Sequence, residues 1–128
     1  MRHGDTTINP EIKSHAYKTH FIESNLDCIS IGKSLNSNFY NFFIGNDSSK
    51  WATNVRSYNR IEYSNIYDSI DIAFYRKNEH LKYDFIAKPG SNPSKIKLFY
   101  EGMDNVSLSN GHLLIKTSLG NVIEQSPY

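Results

Sequence analysis

Four carboxylates, Glu62, Asp68, Asp71 and Asp84, stand near the expected ends of short strands. Glycosidic cleavage needs two carboxyl groups at a set separation: one protonates the leaving oxygen while the other attacks or activates water. No distance between these four follows from their order in the chain. Asp84 lies between Tyr83 and Phe85, on the opposite side of a strand from both. An acid turned inward there needs Lys82, Arg60 or backbone N–H groups as a partner. A structural hydrogen bond accounts for it without chemistry. No catalytic residue is assigned, and the chain is read as a non-enzyme.

Trp51 offers a different chemistry. Its indole could stack on a sugar, with Tyr58, Tyr63 and Tyr75 completing an exposed aromatic face. It could equally plug a loop against the sheet edge, because large aromatics dominate core energetics. Its place beside Gly45-Asn46-Asp47 favours the plug. The four rings are retained as candidate ligand-binding residues.

Metal and phosphate chemistry find less support. His15 and His20 are five apart, which suits neither one helical face nor one strand face. With His3, His80 and His112 they give no zinc spacing. Asp47 with Asn46 and Ser48 could offer oxygen ligands, but an Asx-turn explains them. Gly32-Lys33-Ser34 mimics the end of a phosphate-binding loop, yet Asp27 stands where that loop needs glycine. No metal and no cofactor are expected. Cys28 is the single cysteine, so no internal disulfide forms. It is read as a small buried hydrophobe.

These residues must be positioned by a chain of 128 residues with formal net charge +1. That length predicts one domain with one core. The interspersed charge argues against a nucleic-acid partner or a polybasic membrane surface, each of which needs a positive field. No apolar run approaches the ~20 residues that cross a bilayer, so no membrane insertion is expected.

Residues 1–14 are polar and read as a flexible lead-in, followed by a single domain over 15–128. Ala16–Ile22 is a first strand candidate and Leu26–Ile31 a second apolar run. Lys33–Asn38 is expected to be a loop. Phe39–Ile44 is aromatic and closes in the turn Gly45–Ser49. Tyr58–Ile66 is a further strand. Ile70–Tyr75 and Leu81–Ala87 form a hairpin joined by residues 76–80, ended by Lys88-Pro89-Gly90. Lys95–Tyr100 alternates. Asn110-Gly111 is the strongest hairpin signal and begins a meander that returns through Leu113, Ile115 and Val122. No convincing helical period occurs. The expected fold is an all-β antiparallel sandwich with meander or Greek-key connections, the alternative an incomplete barrel.

The central motifs carry a resemblance. Asn41–Val55 (N-x-F-x-G-N-D-x-S-K-W-x-T-N-V), residues 61–75 (I-E-Y-S-N-I-Y-D-S-I-D-I-A-F-Y), residues 81–96 and the ending E-Q-S-P-Y are similar to a β-rich domain of unknown function. That domain lies near the N-terminus of large secreted bacterial proteins of the Bacteroidetes type. It often precedes SBBP β-propeller repeats and type IX secretion sorting domains. Ser69 stands where the family usually has glycine, and Lys82 where it usually has glutamate. The resemblance implies a piece of a longer exported polypeptide, extracellular or at the cell surface, with neighbouring domains of the same chain as partners.

The expected function is therefore a non-catalytic structural or binding module. A carbohydrate-binding module using the aromatic face is the alternative, and a glycosidase-like enzyme using paired carboxylates the third. If upstream strands are missing, an unpaired edge is expected to self-associate by strand addition.

Overall fold

A computed structural model describes residues 10–127. Of the expected lead-in, residues 1–9 lie outside the described residues; Pro10 to Ser14 are exposed and carry no regular structure. Nine strands follow: β1 (Lys18–Phe21), β2 (Ile29–Phe42), β3 (Ala52–Tyr67), β4 (Ile70–Lys77), β5 (His80–Ala87), β6 (Leu98–Glu101), β7 (Asn105–Ser109), β8 (His112–Thr117) and β9 (Gly120–Glu124). Two single 3-10 turns, Ser48–Lys50 and Pro93–Lys95, are the only helical elements among the described residues. The fold is all-β. Its sheets are β1-β6, the antiparallel β2-β3-β4-β5 and the antiparallel β7-β8-β9. Among the described residues none closes into a barrel, and these antiparallel sheets are consistent with the sandwich class.

The chain forms two compact units, Met1–His20 with Leu98–Tyr128, and Phe21–Lys97. The second unit holds the four-stranded sheet. Antiparallel pairing places directly opposite residues on one side of the sheet. The pairs Tyr63↔Ile72, Ile72↔Phe85 and Phe74↔Tyr83 therefore define one face. It is the apolar face. Ile66, Tyr67, Ile70 and Ile72 are buried at its centre, with Phe21, Cys28, Tyr63, Phe74, Tyr83, Phe85 and Ile96 packed around them. Phe74 is edge-on to Tyr63 and to Phe21, and Tyr83 is edge-on to Phe85. These are the arrangements aromatic quadrupoles prefer. Cys28 joins this packing half-buried.

The ends of this unit meet. The Ile22 N–H donates to the Lys97 carbonyl at 2.9 Å. The Tyr67 hydroxyl lies 3.0 Å from the carbonyl oxygens of both Ile22 and Lys97. A buried phenol needs such a partner, and here it clips the entering strand to the leaving one.

The first unit carries the meander, with Asn110-Gly111 turning β7 into β8 at φ 50° and 79°. Both angles are left-handed, as the expected hairpin turn requires. Ile115 on β8 is fully buried. Tyr17 lies 6.3 Å from Tyr100, whose hydroxyl donates to Glu124. Burial, and then the Glu124 charge, push the Tyr17 phenol up.

Lys33–Asn38 is strand, not the expected loop: Lys33 pairs with Arg60 and Leu35 with Tyr58 inside β2. Its polar run is tolerated because this part of the strand is exposed. The ladder is irregular there instead. Ser34 is left-handed at φ 55°, and Asn36, Ser37 and Asn38 together face Ser57 alone. Asn36 Nδ2 donates to the Ser57 hydroxyl across this bulge.

Candidate functional site

The face opposite the apolar one carries the chemistry. Register alternation puts Lys33, Arg60, Glu62, Tyr75, Lys82 and Asp84 on it. The Glu62 carboxylate holds Lys33 Nζ through Oε2 and Arg60 Nε through Oε1, each at 2.7 Å. The Arg60 guanidinium carbon sits 5.4 Å from the centre of the Tyr75 ring, its direct neighbour on β4. The Tyr75 hydroxyl donates to Asp84 Oδ2 at 2.9 Å. Lys33, Glu62, Arg60, Tyr75 and Asp84 thus form one polar chain across all four strands.

Its electrostatics oppose general acid catalysis. Lys33 and then Arg60 hold the Glu62 carboxyl below its usual range. Asp71 is also held low. The first cause is the Asn65 backbone N–H, which donates at 2.8 Å; the second is Lys88, whose Nζ is 3.0 Å away. Asn65 sits at φ 54° where the β3–β4 register breaks, and Asp71 accepts the N–H that the break frees. Asp68 faces Lys95 at 3.9 Å. A leaving group needs a carboxyl still protonated near neutrality. Glu62 and Asp71 are pushed the other way, and each of the four carboxylates has its own local partner.

The four candidate ligand rings do not share a platform. Tyr63 packs edge-on against Phe74 in the apolar core. Tyr75 lies on the opposite side under Arg60. Tyr58 lies flat over Gly32, where an added Cβ would sit 2.6 Å from its Cγ. Trp51 is elsewhere again, beyond the end of β2.

That end is a separate feature. Only residues 60–67 of β3 pair with β4, while β2 and β3 continue together out to Phe42↔Ala52. The outer half of this hairpin is a two-stranded arm. Its large apolar side chains are exposed, among them Leu35, Phe39, Tyr40, Phe42 and Phe43. At its tip Trp51 is 43% exposed, meets Phe43 edge-on at 5.3 Å and donates its indole N–H to the Gly45 carbonyl at 3.1 Å. Asp47 builds the tip. It accepts from the Ser49 amide and hydroxyl, the expected Asx-turn, and these bonds hold its carboxyl low. Asn92 repeats the turn with Ser94. The sequence shows Phe39–Ile44 as an aromatic run ending in a turn; it does not show that the run stays uncovered.

Three histidines, His15, His20 and His112, are engaged by hydrogen bonds. His15 Nε2 donates to the Gly102 carbonyl and its Nδ1 accepts from the Ser118 amide. His20 meets Glu101, and His112 accepts from the Ser126 amide. His3 lies outside the described residues. Among the described residues no cluster of three or more His, Cys, Asp or Glu could hold a metal ion.

A family model described as a domain of unknown function, DUF7948, matches residues 1–128. No curated protein and no solved structure matches the chain.

Proposed function

The chain belongs to the DUF7948 family of unknown function, and from that premise we propose that it is a non-catalytic binding module of a larger exported bacterial protein. One observation carries the reading: the β2–β3 arm leaves its sheet and exposes an aromatic strip. A free two-stranded ribbon is marginal in water, and this one leaves several large apolar side chains exposed, with Tyr40 stacked on Phe42 and Phe43 against Trp51; exposed apolar surface of this kind marks a contact site. The occupant is a neighbouring domain of the same polypeptide. The resemblance of the central motifs to a domain of large secreted proteins supports that partner and an extracellular or cell-surface location. The polar chain on the four-stranded sheet supports rigidity, because it ties all four strands through ionised and hydrogen-bonded groups.

A second reading rests on the partly exposed indole of Trp51 beside Phe43, a stacking surface of the kind that glycans use. The test is an isotope-labelled titration with adjacent domains of the parent polypeptide and, separately, with a glycan panel. Resonance shifts confined to residues 35–58 on adding an adjacent domain are expected. Glycan binding that Trp51→Ala removes with the fold intact would establish the second reading instead. Turnover of any glycan or peptide would overturn both.

A further inference from the structure

The outer edge of β5 has no strand partner among the described residues. It differs from the other edge of the same sheet. β2 is broken by a left-handed Ser34 and two register shifts, which are devices that blunt edges. β5 has none of them. Its pairing with β4 runs unbroken from Ile70↔Ala87 to Lys77↔His80. It contains no proline and no residue of positive φ. Eight residues therefore present a regular row of backbone donors and acceptors.

The side chains say what fits there. The strand centre reads Leu81-Lys82-Tyr83-Asp84-Phe85. We propose that β5 pairs antiparallel with β5 of a second copy of this chain, in the register that sets Tyr83 opposite Tyr83. A two-fold axis normal to the sheet allows only registers centred on a residue, since opposite residues must share a side. Centring on Tyr83 places Lys82 opposite Asp84 twice and Leu81 opposite Phe85 twice. Opposite charges and apolar pairs are the favourable cross-strand combinations. Centring on Lys82 or on Asp84 instead sets like charges face to face, so the neighbouring registers are disfavoured.

The strand is prepared for this pairing. Lys82 makes no ion pair among the described residues. Asp84 accepts one bond from Tyr75 and keeps lone pairs for a lysine. Leu81 is 76% exposed on the side of the sheet that otherwise forms the core. Pairing would give a continuous eight-stranded sheet whose apolar face is extended. A single strand pair is a small interface, so the dimer is weak and concentration-dependent.

The test is sedimentation equilibrium of the full chain across a wide concentration range, with circular dichroism as a fold control. A monomer–dimer equilibrium is expected, weakened at least tenfold by Lys82→Glu. The double variant Lys82→Asp with Asp84→Lys restores the alternation and is expected to recover the dimer. Leu81→Ser, at an exposed position, is expected to weaken it several-fold with the melting curve unchanged. A strict monomer at millimolar concentration would overturn the proposal. So would a dimer indifferent to Lys82→Glu, or folded charge-swapped protein that stays monomeric.

Discussion

Arg60 covers the ring of Tyr75 with its guanidinium while its Nε holds the Glu62 carboxylate, so one side chain joins a cation–π contact to an ion pair. Lysine could supply the charge but not the planar fork that does both. In Arg60→Ala, Glu62 keeps Lys33 as its cationic partner and its carboxyl should move back up toward the ordinary glutamate range. A side-chain carbonyl NMR titration reads this directly; an unchanged midpoint would mean that Arg60 does not act on Glu62.

Acid should loosen the second unit. Glu62 and Asp71 are held low in the folded protein, by Lys33 and by the Asn65 amide first. The unfolded chain therefore takes up protons before the folded one as pH falls. Their contribution is complete above the ordinary carboxylate range near pH 4 and is lost progressively below it. Melting temperatures measured from pH 7 down to 2 should fall only in the lower part of that window, and less steeply in Asp71→Asn.

Ser69 ends the two-residue turn between β3 and β4 at φ 57°. A side chain in that left-handed region costs roughly 1–2 kcal/mol that glycine avoids. Ser69→Gly should raise stability by about 1 kcal/mol, reduced somewhat by the freer unfolded chain. A melting temperature unchanged or lowered would show that the Ser69 side chain supplies a compensating contact.

Gly32 is held to glycine by contact, not by its backbone angle. A Cβ there would meet the Tyr58 ring at 2.6 Å. Gly32→Ala should push that ring off the strand and cost about 1–3 kcal/mol, as overpacking does. Loss of the cross-strand contacts between positions 32 and 58 in nuclear Overhauser spectra is the readout, with β4 and β5 unaffected.

Ile72 is buried between Tyr63 and Phe85 on neighbouring strands. Ile72→Ala should cost about 2–5 kcal/mol, the range for buried aliphatic truncation. Chemical denaturation would measure it.

The strand pattern was readable because alternation and turn chemistry are local. Asn110-Gly111, the Asx-turn at Asp47 and the alternation of Leu81 to Ala87 all signal themselves within a few residues. The hairpin between β4 and β5 is tighter than expected. Residues 76 and 77 pair with 81 and 80, and the turn is Asn78-Glu79, both left-handed. Glutamate in such a position masked it. Lys33 to Asn38 was hidden for a different reason: an exposed ribbon and a loop have the same polar composition, and only pairing separates them. The partners of Glu62 were equally invisible, since Lys33 reaches it from a strand 29 positions earlier in the chain. Trp51 and Tyr63 looked alike as aromatic residues near strands. One became an exposed tip and the other core, a difference made by the third strand that covers only half of the hairpin.

The Tyr67 clip has a topological consequence. Because residue 22 touches residue 97, the chain departs from the four-stranded unit at the point where it arrived. Such a segment behaves as an insert: it can be excised, or its ends sewn together and new ones opened at a surface turn, without threading any strand through another.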